Sequence, residues 1–143
     1  MNRRRITRRH ILLAYQLLTG LSDTSTGLLL IAAPALTLGL MHLNPPDAAA
    51  LPYLSYIGAF VLSTGLACFY GALLTTRPHF TAKLETVWLL TALTRAIVAL
   101  FVLIQVTTGA LPSGWLTVAL SDGALALLQF IGLTRGWLSD EPK

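Results

Sequence analysis

Three stretches of this 143-residue chain, 24–46, 48–76 and 96–121, contain no Asp, Glu, Lys or Arg. Charge-free runs of that length leave few folds open. A helix crossing the hydrocarbon core of a bilayer needs about 20 mostly apolar residues. Only α-helices and closed barrels satisfy their own backbone polar groups in that medium. Charged residues make up 11% of the chain and hydrophobic ones 55%, whereas a soluble domain carries about 25% charge. That balance excludes a cytosolic globular enzyme, a disordered chain and a collagen-like one. The single cysteine, Cys68, excludes an internal disulfide.

The run 48–76 accommodates one span over about 52–74, and residues 84–107 and 115–134 accommodate two more. Between the last two lies Gly109-Ala110-Leu111-Pro112-Ser113-Gly114, whose glycines and proline predict a turn. The first hydrophobic region, Ile11 to Leu43, would be about 50 Å long as one helix, too long for a straight crossing. Pro34 is the expected break. It divides the region into a span over 11–33 and a short interfacial helix over 34–43. The expected fold is an all-α membrane protein. It is a four-helix transmembrane bundle forming one transmembrane domain over residues 1–143, with no room for a soluble domain.

Basic residues orient the spans. Arg3, Arg4, Arg5, Arg8 and Arg9 precede the first; Arg77 and Lys83 separate the second from the third; Arg135 and Lys143 follow the fourth. The other two connections carry none, so the positive-inside rule puts both termini in the cytoplasm (N-in/C-in). Tyr53, Tyr56 and Trp115 then fall near the outer interface, Phe80 and Trp137 near the inner one. Five arginines ahead of a hydrophobic segment read as a topology signal in contact with anionic lipid, and no nucleic-acid partner is expected. The segment Thr7-Arg8-Arg9-His10-Ile11-Leu12-Leu13 resembles a twin-arginine export signal. Asp23 interrupts its apolar core, so the expectation is a retained first span.

Three charges fall inside spans: Asp23, Arg95 and Asp122. Each costs at least about 2.5 kcal/mol to insert. Counted from Arg9, Lys83 and Arg135, all three lie about 18–21 Å above the cytoplasmic flanking charges, in one layer near the bilayer centre. An arginine offers a five-donor fork able to bridge two carboxylates. Gln16 lies seven residues before Asp23 and Gln129 seven after Asp122, so each shares a face with its acid. Thr91 is one turn before Arg95, and Ser22, Thr24, Ser25, Thr26 and Ser121 add hydroxyls. Two roles stay open for this cluster: a clasp that selects which helices pack, or a site for a proton or a polar ligand group.

In the second span Ser55, Ala59, Ser63, Ala67 and Gly71 recur every four residues, a small-residue stripe suited to close helix packing, within the bundle or against a homodimer or other membrane-protein partner. Gly58 and Gly65 widen it by another face. No catalytic motif occurs, Cys68 reads as an apolar filler, and His10, His42 and His79 have no metal-ligand spacing. No metal or cofactor is therefore expected.

Gly20-Leu21-Ser22-Asp23 followed by Gly27 and Pro34, and Ser121-Asp122-Gly123 with Gln129 and Arg135-Gly136-Trp137, resemble the first and last helices of small bacterial DoxX-like membrane proteins. The resemblance implies a four-helix protein of the bacterial inner membrane, in a family of mostly obscure activity with some members linked to respiratory or redox complexes. The residues themselves leave three functions open. The first is an accessory or assembly subunit of a membrane complex. The second is a binder or carrier of a small lipophilic molecule, its polar head gripped by the charged layer. The third is a proton or ion pathway through Asp23 and Asp122.

Overall fold

The computed structural model describes residues 2–77 and 81–139, with side chains from Arg8 onward. His79, Phe80, Asp140, Glu141, Lys143 and the side chains of Arg3, Arg4 and Arg5 lie outside the described residues. All regular structure among the described residues is helical: α1 (Asn2–Ala32), α2 (Pro34–Leu40), α3 (Leu51–Thr75), α4 (Thr81–Thr107) and α5 (Leu116–Thr134). Single 3-10 turns, Ala48–Ala50 and Ser113–Trp115, lead into α3 and α5. Three segments are long and apolar enough to cross a membrane: Ala48–Thr75, Thr81–Thr107 and Ser113–Thr134. They mark the chain as a membrane protein. At 31 residues α1 is also long enough, but Gln16 and the run Ser22–Thr26 make it less apolar. It begins well before the apolar edge at Ile11, so the basic N-terminal residues are helical rather than an extended flank.

The chain forms two compact units, Met1–Thr76 and Arg77–Lys143. In the first, α1 and α3 pack antiparallel at very close range. A Cβ on Gly27 would stand 2.5 Å from the Leu62 amide nitrogen and 2.8 Å from the Gly58 carbonyl oxygen. One on Gly58 would stand 2.9 Å from the Gly27 carbonyl oxygen, and one on Gly20 3.3 Å from that of Gly65. Two glycines seven residues apart on each helix, Gly20/Gly27 and Gly58/Gly65, therefore meet. Without a hydrophobic driving force between helices in lipid, this backbone proximity supplies van der Waals contact in its place.

Pro34 ends α1 as its missing N–H requires. Ala33 leaves helical geometry (φ −148°, ψ 65°), and Pro34 restarts the chain in the first turn of α2. Across the break, Ser55 Oγ donates to the Ile31 carbonyl at 3.3 Å, satisfying one of the carbonyls left over at the end of α1. Helix α2 ends three residues before Leu43. Its last turn closes with the Leu43 N–H donating to the Leu38 carbonyl and the His42 N–H to Gly39. His42 takes the left-handed conformation (φ 57°) usually given to glycine. Leu38 and Leu43 are buried beneath it, while Leu36 and Leu40 are exposed.

In the second unit α4 and α5 are antiparallel, joined by a turn over 108–112. Glycine sits where the helix ends demand a left-handed residue. Gly109 (φ 77°) closes α4 and Gly136 (φ 62°) closes α5, each with the paired hydrogen bonds of a Schellman cap. The core side chains include Leu84, Trp88, Ala92, Ala99, Val102, Ala119 and Ala126. After the Gly136 cap, Trp137 turns back over Gly132, where a Cβ would lie 2.9 Å from Trp137 Cε3 and 2.6 Å from Trp88 Cζ3.

Gly27→Ala should lower the stability of the purified protein by about 1–3 kcal/mol, because the atoms it meets are backbone and cannot rotate away. Gly39→Ala, in open space on α2, should raise it by about 0.5–1 kcal/mol. Thermal melts of both variants in one detergent check the pair.

Candidate functional site

The polar residues of the second unit converge on the α4–α5 seam. Arg95, in the middle of α4, is 4% exposed, and its Nη1 donates to Asp122 Oδ1 of α5 at 2.6 Å. The bond is short, as a charge-assisted bond between guanidinium and carboxylate should be. Gly123 faces Ala99, so Asp122 lies about one turn along the seam from Arg95, on the side away from Thr91, and the length of the arginine makes up the offset. The pair lets each helix carry its charge into an apolar setting, because neither group there has bulk water to solvate it.

One step along the seam, toward the start of α4 and the end of α5, Gln129 Nε2 donates to Thr91 Oγ1 at 2.7 Å. The Thr91 hydroxyl in turn donates to the Val87 carbonyl at 2.8 Å. Both residues are buried. Below this rung Trp88, 1% exposed, fills the space over Gly132. The seam is thus a ladder: an ion pair, an amide–hydroxyl bond, then an indole seated on a glycine.

In the first unit Asp23 is partly buried on α1. Thr24 next to it packs its hydroxyl and amide against Gly65 of α3. Gln16 is 1% exposed and lies flat on α3, where a Cβ at Gly71 would stand 2.5 Å from its Nε2 and 2.8 Å from its Cδ. Neither Gln16 Nε2 nor Gln16 Oε1 has a hydrogen-bond partner among the described residues, and nor does Gln129 Oε1. An amide buried unpaired is costly, by about 1–3 kcal/mol.

Most other hydroxyls are satisfied by their own helices and form no track. Thr19, Thr37, Thr64, Thr86, Thr94 and Thr134 each donate to the carbonyl four residues earlier. Ser25 and Ser121 donate to the carbonyl three residues earlier. This back-bonding is the cheapest way to hold a hydroxyl in a helix away from water.

The small-residue stripe of α3 divides. Gly71 is buried under Gln16, Ser55 ties to Ile31, Ala67 is partly exposed, and Ala59 and Ser63 are exposed. Close approach runs instead through Gly58 and Gly65, one face round. A helix needing contact on a single side can carry small residues on two, so four-residue spacing alone does not choose between them. The matching seven-residue glycine spacing on α1 and α3 is the signal that does. Sequence reasoning missed Trp88 and read Trp137 only as an interfacial aromatic; their shared partner Gly132 is visible only once the C-terminal turn is formed.

Among the described residues no group of three His, Cys, Asp or Glu side chains is placed to hold a metal. Cys68 is buried in α3. His10 and His42 are exposed, and neither belongs to the ladder.

Arg95→Leu should destabilise the protein by about 3–5 kcal/mol, because it strands the Asp122 carboxylate. Adding Asp122→Leu should restore most of that loss. A double-mutant cycle of detergent melting temperatures gives the coupling; additive losses would disprove a pair of this strength.

Comparison with protein-family models, with curated proteins and with solved structures finds no match to this chain.

Proposed function

We propose that the chain is a multi-pass protein of the bacterial inner membrane that serves as an accessory or assembly subunit of a membrane complex. In this reading α1 is a fourth span, the four long helices form a four-helix transmembrane bundle, and both termini are cytoplasmic. The basic residues flanking α1, α3, α4 and α5 support that orientation. The resemblance of Gly20–Asp23 and Ser121–Gly123 to the DoxX-like pattern agrees with it.

The observation that carries the subunit role is how the polar side chains of α4 and α5 are used. Arg95, Asp122, Thr91 and Gln129 bond one another across a helix seam, which builds a rigid hairpin. The long helices meanwhile present broad apolar faces outward, among them Leu66 and Leu73 of α3 and Leu120 and Leu127 of α5. A scaffold with its polar groups turned to its own seams and its apolar faces outward suits lateral contact within a membrane assembly.

A second reading, a carrier of a small lipophilic molecule, is favoured by the Gln16 amide. It is buried with both of its polar atoms unpartnered, and the polar head of a lipophile would satisfy them.

Native mass spectrometry of the full chain, extracted from its own membranes in a mild detergent, separates the two. The subunit reading expects a second protein at fixed stoichiometry and no small molecule. The carrier reading expects a bound lipophile that disappears in Gln16→Leu. If Gln16 is structural, that variant should instead gain about 1 kcal/mol of stability, since it replaces an unpaired amide with a side chain of similar volume.

A further inference from the structure

Helices α1 and α3 do not stay equally close along their length. At Gly27 the atoms that a Cβ would meet are main chain, the nearest 2.5 Å away. At Gly20 they are the Phe69 ring, at 3.1 and 3.2 Å, and then the Gly65 carbonyl oxygen at 3.3 Å. At Gly71, nearer the start of α1, all three are atoms of the Gln16 side chain, at 2.5 to 3.2 Å. The seam thus opens from backbone contact to the width of an amide, and it opens where that amide lies. Leu12, one turn before Gln16, and Cys68 and Ala72, either side of Gly71, are buried and apolar. The hydroxyls nearby are committed to their own helices: Thr19 donates to the Tyr15 carbonyl at 2.9 Å and Thr75 to the Ala72 carbonyl at 2.7 Å. Nothing in the first unit answers Gln16 Nε2 or Oε1.

The edge of a carboxamide asks for two things at once, an acceptor for Nε2–H and a donor for Oε1. Ether, ester and ketone oxygens only accept, so each would leave Oε1 stranded. An ammonium group only donates. Carboxylate and phosphate only accept, and they bring charge. Gln16 lies five residues beyond the apolar edge at Ile11, about 7–8 Å into the apolar part of α1, where an ion is expensive. A neutral hydroxyl meets both demands, because its oxygen accepts from Nε2 while its hydrogen is donated to Oε1. A carboxylic acid does the same only while protonated, which neutral pH opposes.

We infer that Gln16 recognises a neutral lipophile by its hydroxyl head, a ligand of the class of long-chain alcohols and phenols. The inference rests on the carrier reading and names what is carried. The head seats on the amide in the opening seam, and the tail asks only for apolar surroundings. Gly71 is the positioning residue, because a side chain there would take the place of the amide.

The test uses the full chain in a mild detergent with two probes of closely matched size, 1-dodecanol and dodecyl methyl ether. The side-chain amide NMR resonances of Gln16, identified by their loss in Gln16→Met, should shift with the alcohol and not with the ether. Native mass spectrometry should show one alcohol per chain, retained about tenfold more than the ether at equal concentration. Gln16→Met, an unbranched apolar side chain of similar volume, should bring the alcohol down to the level of the ether. The two-probe comparison on the unsubstituted chain stands whether or not that variant folds. Equal retention of both probes, with both lost in Gln16→Met, overturns hydroxyl recognition and leaves the carrier reading standing. Alcohol binding that Gln16→Met leaves unchanged overturns it as well, by placing the site elsewhere. Retention of neither probe, with the Gln16 resonances unmoved, refutes the inference; if the chain extracted from its own membranes also holds no lipophile, the carrier reading falls with it.

Discussion

A guanidinium at 4% exposure in the middle of an apolar helix has to be met by a counter-charge. The design of the second unit follows from that constraint. Arg95 cannot shed its proton and is not surrounded by water, so α4 is stable only where a carboxylate can reach it. Asp122 supplies that carboxylate from the next helix, across a short turn. The ion pair therefore fixes which helix lies beside α4 and in what register. Gln129 on Thr91, and Trp88 on Gly132, follow from that register at the positions nearer the start of α4 and the end of α5. Each rung is weak alone, since an interhelical hydrogen bond in a membrane averages about 0.6 kcal/mol. Together they allow one alignment of the two helices.

The first unit solves the same problem with a different material. Its helices meet through glycines, and the stabilisation comes from dispersion contacts between backbones brought into touch. The two solutions have different vulnerabilities. Glycine pairing tolerates no added atom, because what lies opposite is main chain. A charge pair tolerates replacement of both partners and fails when one is lost, because the remaining ion is then buried alone.

Both solutions turn polar groups inward and leave the outer faces to leucine, isoleucine and phenylalanine. The subunit reading rests on this economy. A seam that bonds itself is a support, and the apolar faces are left for lipid or a neighbouring helix. Gln16 is the exception. Its amide, with both polar atoms unpartnered among the described residues, is a feature that a purely supporting role does not account for, and the carrier reading draws its force from it.

Much of this was legible in the sequence, because the strongest constraints a membrane imposes run along the chain. Charge-free length locates the helices, Pro34 breaks the first of them, and Gly109 with Pro112 marks the turn after the third. An isolated Arg95 demands an acid, and the sequence offered two near its depth, Asp23 and Asp122; the structure pairs it with Asp122, about one turn along the seam. Helical periodicity put Gln129 on the face of Asp122 and Thr91 on that of Arg95, and the bond between them appears only in the structure. Only the tertiary structure decided how the helices are turned about their axes. That choice selected Gly58 and Gly65 over Ala59 and Ser63, laid Gln16 on Gly71, and folded Trp137 back onto Gly132. Spacing along a chain fixes a residue's depth and the residues that share its face. Which face a helix turns to its neighbour depends on the closest packing the two surfaces allow, a property of the pair that neither sequence holds by itself.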